Sequence, residues 1–160
     1  MRDEGAAGVV APSAPPPAYG RRDDVAALRT VLSAAGYTAP AIQARIGTEQ
    51  ELLARPADFP AHLKRLEGDD SALATLIRLF VLLASAAENV ADRALAPLGA
   101  TGLERLGLVS RVQDGRLVAA MRLIPHDELV IASDLSDSGP DHVPGVQRPS
   151  FALANLTVRP

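Results

Sequence analysis

From residue 23 onward the apolar positions recur at helical spacing. Val25, Leu28, Val31 and Leu32 mark one face of a helix that Gly36 stops. Pro40 suits a first helical turn, so a second short helix runs from there to Gly47. Thr48 and Glu51 have the spacing of a capping box, in which hydroxyl and carboxylate each satisfy an orphan backbone donor, and this predicts helix through Ala54. Another short helix spans Pro60 to Leu66 and is closed by Gly68. The strongest pattern covers 71–84, where Leu73, Leu76, Ile77, Phe80 and Leu83 form one continuous apolar stripe. Two more capping-box spacings follow. Ser85 with Glu88 predicts a helix to Leu95, and Thr101 with Glu104 predicts a short one closed by Gly107.

After Gly107 the period changes from helical to alternating. Val109, Arg111 and Gln113 lead to Asp114-Gly115, a two-residue hairpin signal. The return strand places Leu117, Ala119, Met121 and Leu123 on one face and Arg116, Val118, Ala120 and Arg122 on the other. A further short apolar strand covers Leu129–Ala132. Helices followed by a hairpin, with Leu103-x-x-Leu106-Gly107-Leu108-Val109 joining the two, give the order of a winged-helix domain. The expected fold is mainly α with a small β-wing (α+β): a winged-helix-like core at 71–123 carrying an N-terminal helical extension, together spanning 23–135.

Residues 1–22 hold Pro12, Pro15, Pro16 and Pro17 among small residues, with little to bury, and are expected to be a disordered Pro/Ala-rich tail. Hydrophobic residues make up 48% of the 160, enough for a core, but aromatic residues only 3%, so Leu, Val, Ile and Ala must build it. Zero cysteines exclude disulfides and thiolate metal sites and fit a reducing cytoplasm. No apolar stretch approaches the roughly 20 residues of a membrane span, so a membrane partner is not expected.

Charge bears on nucleic-acid binding. The net charge is −3, whereas nucleic-acid readers usually show a basic excess. Over 71–123 six arginines face four acids, a balance of +2. The stretch predicted to occupy the recognition position, Gly102–Leu106, offers one charge of each sign, Glu104 and Arg105. Arg111, Arg116 and Arg122 cluster on the wing and are the candidates for contact with nucleic-acid phosphates. The alternative for the same three is a charged hairpin edge that blocks unwanted strand pairing. The three histidines, His62, His126 and His142, fall in separate segments without cysteine partners and suggest neither a metal site nor a catalytic role. There is no G-x-S-x-G elbow, no G-x-x-x-x-G-K-[ST] and no G-x-G-x-x-G. No residue stands out as catalytic.

Asp141-His142-Val143-x-Gly145-Val146, followed by Ser150-x-x-Leu153-Ala154-x-x-Thr157-Val158-Arg159, resembles the connector of a group of bacterial class I S-adenosylmethionine-dependent methyltransferases. Ser133-Asp134-Leu135 matches the segment leading into it. The likeness is specific over 129–160 and extends to 23–160 in architecture. It implies that 136–160 connect to a Rossmann-like catalytic domain carrying D-x-G-x-G and, often, N-P-P-Y. Neither motif occurs in the 160 residues, so the expectation is an N-terminal substrate-engaging or scaffolding domain that is inactive by itself. The implied cofactor is S-adenosylmethionine in the full-length enzyme, with none held by this stretch alone. The implied partners are the downstream catalytic domain and an RNA, DNA or protein substrate with an amino group to methylate. Gly145, open to close backbone approach, and Ser150, a hydrogen-bond donor, are the connector's candidates for lining the cofactor cleft. Val146, Phe151, Leu153, Leu156 and Val158 can equally pack a domain junction. The rival reading, from another class, is a stand-alone winged-helix regulatory or protein-interaction module.

Overall fold

The computed structural model describes residues 22–48 and 56–135, and the helix expected from the Thr48–Glu51 spacing, the N-terminal tail before Arg22 and the connector lie outside these. Helix α1, Arg22–Ala34, starts one residue inside the expected tail and buries Val31 and Leu32, while Val25 at the head of its stripe stays exposed. Helix α2, Ala39–Ile46, is capped by Thr38, whose hydroxyl accepts from the amide of Ala41, and carries a proline in its first turn. It ends at Gly47 in the left-handed conformation that glycine adopts without a Cβ penalty. A short 3-10 turn, Pro56–Asp58, leads into α3, Phe59–Arg65.

The stripe at 71–84 gives α4, Ala72–Leu76, with Ser71 capping the amide of Ala74, but the helix does not continue in α form. Ile77–Val81 widen into a π-helical turn, the amide of Leu82 donates to the carbonyl of Ile77, and Leu83 at a φ of 51° ends the run. The sequence shows one stripe, yet Ala74, Thr75, Leu79, Val81 and Leu82 are as buried as Leu76, Ile77 and Phe80. Later elements pack around this segment from several sides: helix α5, Glu88–Ala94, against α4, and strands β3, Arg116–Ala119, and β4, Met121–His126, against the π-helical turn. One-sided amphipathicity therefore understates its burial.

Strand β1, Ala86–Ala87, precedes α5 directly, and helix α6, Gly99–Arg105, precedes strand β2, Val109–Val112. Antiparallel pairing gives a three-stranded sheet in the order β1-β3-β2. The expected unbroken return strand is interrupted at Ala120, whose amide donates to the carbonyl of Leu108. Beyond it, β4 leaves the first sheet and pairs with β5, Leu129–Asp134, in a second, two-stranded antiparallel sheet. Among the described residues the fold is thus α+β: six α-helices and two small antiparallel sheets around one apolar core. That core runs from Val31 of α1 through Ile42, Ile46, Phe80 and Leu103 to Leu117 and Leu123.

Candidate functional site

The register of the β2–β3 hairpin decides which way its arginines face. A two-residue Asp114-Gly115 turn would pair Gln113 with Arg116 and set Arg111 on the face of Arg116. Instead Val112 pairs with Arg116 and Arg111 with Leu117, so the loop has three residues, Gln113–Gly115. Asp114 at a φ of 69° and Gly115 at 65° supply its left-handed turn. A one-residue change of register flips a strand residue to the other face. Arg111 accordingly shares the face of the fully buried Leu117, which the sequence pattern assigned to the opposite side.

On that face Arg111 meets the helices. Its Nε and Nη2 lie 3.1 and 3.0 Å from Glu88 Oε1 at the start of α5, and Nη2 donates to Thr101 Oγ1 at 3.0 Å. Nη1 donates to Glu104 of α6. Arg116, on the outer face, donates from Nε to Ser85 Oγ at 2.8 Å and from Nη2 to the Ser85 carbonyl at 3.0 Å, just before β1. The residues read as two capping boxes, Ser85 with Glu88 and Thr101 with Glu104, are thus the acceptors of the hairpin arginines. Neither pair caps: α5 begins after Ala87 with no side-chain cap, and Thr101 and Glu104 sit inside α6. The start of α6 is held by Asp92 of α5, whose Oδ1 accepts from the amide of Ala100 at 2.8 Å.

The remaining cations have local work. Arg105 grips Asp24 of α1 with Nε at 2.9 Å and Nη2 at 2.5 Å, a fork geometry suited to a carboxylate, and this hydrogen bonding raises the guanidinium above its ordinary value. His62 Nδ1 and Arg65 Nη1 both donate to the carbonyl of Ile46 at the end of α2, at 2.9 and 2.6 Å. Arg78 donates to the carbonyls of Leu66 and Asp69. Arg65 and Arg78 thus place guanidinium groups at carbonyls that end helices, where a cation complements the helix dipole. No group of three or more His, Asp or Glu side chains among the described residues could hold a metal ion.

Arg122 stands apart from Arg111 and Arg116. It lies on β4 in the second sheet, half-buried, directly across from the buried Ser133 of β5. Burial lowers its guanidinium from the ordinary value, with Tyr37 acting in the opposite sense. Tyr37, between α1 and α2, is itself buried and donates its hydroxyl to the carbonyl of Leu123 at 2.9 Å. Burial pushes the Tyr37 phenol far above the usual tyrosine range. The stability consequence has a definite sign. Below about pH 10 the phenol is neutral in both states, and above it only the unfolded chain ionises, so stability should fall as pH rises past that point. Tyr37→Phe should flatten this alkaline loss in a urea titration series. At neutral pH it should cost about 1 kcal/mol for the carbonyl left without its donor.

Sequence reasoning found the three arginines but not Asp24, Tyr37 or Asp92, which lack any local motif and are recognised only by what lies across the fold. Gly145 and Ser150 fall outside the described residues. Leu129 and Val130 of the β4–β5 hairpin and Leu135 just after it are exposed apolar residues, Leu129 to 66%. No helix among the described residues is long and apolar enough to cross a membrane.

The architecture is that of a small α+β domain tied together by arginines. A family model described as a domain of unknown function (DUF7059) matches residues 34–120, more than half of the chain, and the protein belongs to that family. The match begins at the end of α1 and closes at Ala120, where the chain passes from the first sheet to the second. No curated protein and no solved structure matches the chain.

Proposed function

We propose that the protein is a winged-helix-like scaffolding domain of a cytoplasmic class I S-adenosylmethionine-dependent methyltransferase, and that it faces protein rather than nucleic acid. The winged-helix reading is supported by element order. A helix, a two-residue strand, two helices and a hairpin follow one another, and the sheet order β1-β3-β2 brings the short strand back beside the hairpin. The methyltransferase reading rests on the resemblance of Asp141–Arg159 to the connector of that enzyme class. No glycine-rich turn between a strand and a following helix occurs among the described residues, so none of them is assigned to the cofactor, which the downstream sheet would hold.

The observation that carries the protein-facing choice is the engagement of Arg111 and Arg116. Phosphate binding needs free donors, and these two donate to Glu88, Glu104, Thr101 and Ser85. Arg105 of α6 is likewise held by Asp24. The exposed Leu129, Val130 and Leu135 lie at the end of the domain that leads to the connector, the kind of surface a neighbouring domain covers.

The test is an anisotropy titration of the 160-residue protein with labelled RNA and DNA, single- and double-stranded, at low ionic strength. The expected result is no saturable binding. Binding whose salt slope drops by roughly 0.7–0.9 for each of Arg111→Ala and Arg116→Ala would overturn the protein-facing reading and restore substrate engagement. The enzyme assignment has its own check. The coding sequence after Pro160 should reach D-x-G-x-G within about 15 residues, because motif and strand must be adjacent. A stop codon there would favour the stand-alone interaction module.

A further inference from the structure

We infer that Arg122, with Ser133 across the strand pair, forms a receptor for a single carboxylate or phosphate group on the β4–β5 hairpin. The inference does not rest on the scaffolding reading. It begins from a contrast. Arg45, Arg65, Arg78, Arg105, Arg111 and Arg116 each donate to a carboxylate, a hydroxyl or a backbone carbonyl. Arg22 and Arg29 are exposed, and the exposed Arg93 lies 3.8 Å from Asp70. Arg122 is neither: it is half-buried and has no hydrogen bond or ion pair among the described residues. A guanidinium carries five donors and stays charged. Removing part of its water without a partner is unfavourable, and an oxyanion bound in the guanidinium fork would offset that.

Among the described residues the face that carries Arg122 supplies no anion of its own. Strand alternation puts Arg122, Ile124 and His126 of β4 on one face with Ser133, Ile131 and Leu129 of β5. The nearest acid in register, Asp134, pairs with Met121 and so belongs to the opposite face. Tyr37, the one titratable group acting on Arg122, is held neutral by burial and its hydroxyl proton is committed to Leu123. Ser133 adds a hydroxyl donor directly opposite the arginine. Flanking Ile124 and Ile131 lower the local dielectric and strengthen a charge-assisted hydrogen bond.

The experiment follows the arginine Nε–Hε resonances of the 15N-labelled protein during titration with sodium acetate and, separately, sodium phosphate at constant ionic strength. The Arg122 signal should move saturably, at anion concentrations where Arg111 and Arg116 do not respond. Arg122→Gln should abolish the response while the rest of the spectrum reports an intact fold. Arg122→Lys should weaken it several-fold, since a point charge lacks the fork, and Ser133→Ala should weaken it to a lesser degree. Saturation by acetate alone assigns a carboxylate, such as an acidic side chain of a partner, and saturation by phosphate alone assigns a phosphoryl group. A response shared equally by all arginines, or none at Arg122 with either anion, would refute the site.

Discussion

Phe80→Ala is expected to lower the stability of the protein by about 3–5 kcal/mol, the range for emptying a buried aromatic site. Phe80 is fully buried in the π-helical turn and is the largest of the fully buried side chains among the described residues. The turn packs against both β3 and β4, one strand from each sheet, so this segment joins the two sheets. Small domains are stable by about 5–15 kcal/mol in total, so the loss is a large share of the whole. Urea denaturation read by circular dichroism is the measurement. Phe80→Leu, which keeps much of the volume, should cost well under half as much. An unchanged midpoint for Phe80→Ala would show that residues 77–81 do not form the centre of the core.

Much of this architecture is legible in the sequence because periodicity and glycine stops are local signals. The helices at Arg22–Ala34, Ala39–Ile46 and Phe59–Arg65 and the alternation from Val109 onward all follow from them. What failed has a common physical cause. Ser85, Glu88, Thr101 and Glu104 stand at capping spacing, but a serine or glutamate can satisfy an arginine across the fold as readily as an amide three residues away. Here Arg111 and Arg116 claimed them. The same competition set the hairpin. A three-residue loop replaces the two-residue turn, placing Arg111 on the helix side, where Glu88 and Glu104 lie. Sequence spacing identified the chemistry-bearing residues of the wing and misread their partners, because partner choice depends on strand register. Alternation alone groups Arg122 with the other two, whereas the break at Ala120 sets it in another sheet.

Ile42→Ala should cost about 2–5 kcal/mol, and should do so within a single unfolding transition. The sequence presents residues 23–70 as an extension added to a core at 71–123, which would allow the two to unfold separately. The structure joins them. Ile42 and Ile46 of α2 are 0% exposed and belong to the same apolar cluster as Phe80, Leu103 and Leu117. α2 packs on α3 and reaches β4. Polar ties cross the same boundary: Tyr37 donates to Leu123, Asp24 accepts from Arg105, and Arg78 donates to the carbonyl that ends α3. Removing Ile42 therefore removes contacts from the common core. Far-UV circular dichroism and the β4–β5 amide resonances should lose their native signal at the same, lowered urea concentration. If the helices before residue 70 instead melted first and left the β-strand amides at their wild-type midpoint, the N-terminal part would be a separate cooperative unit. The cluster from Val31 to Leu123 would then be two cores in contact, and the scaffold that any partner meets would be only the part after residue 70.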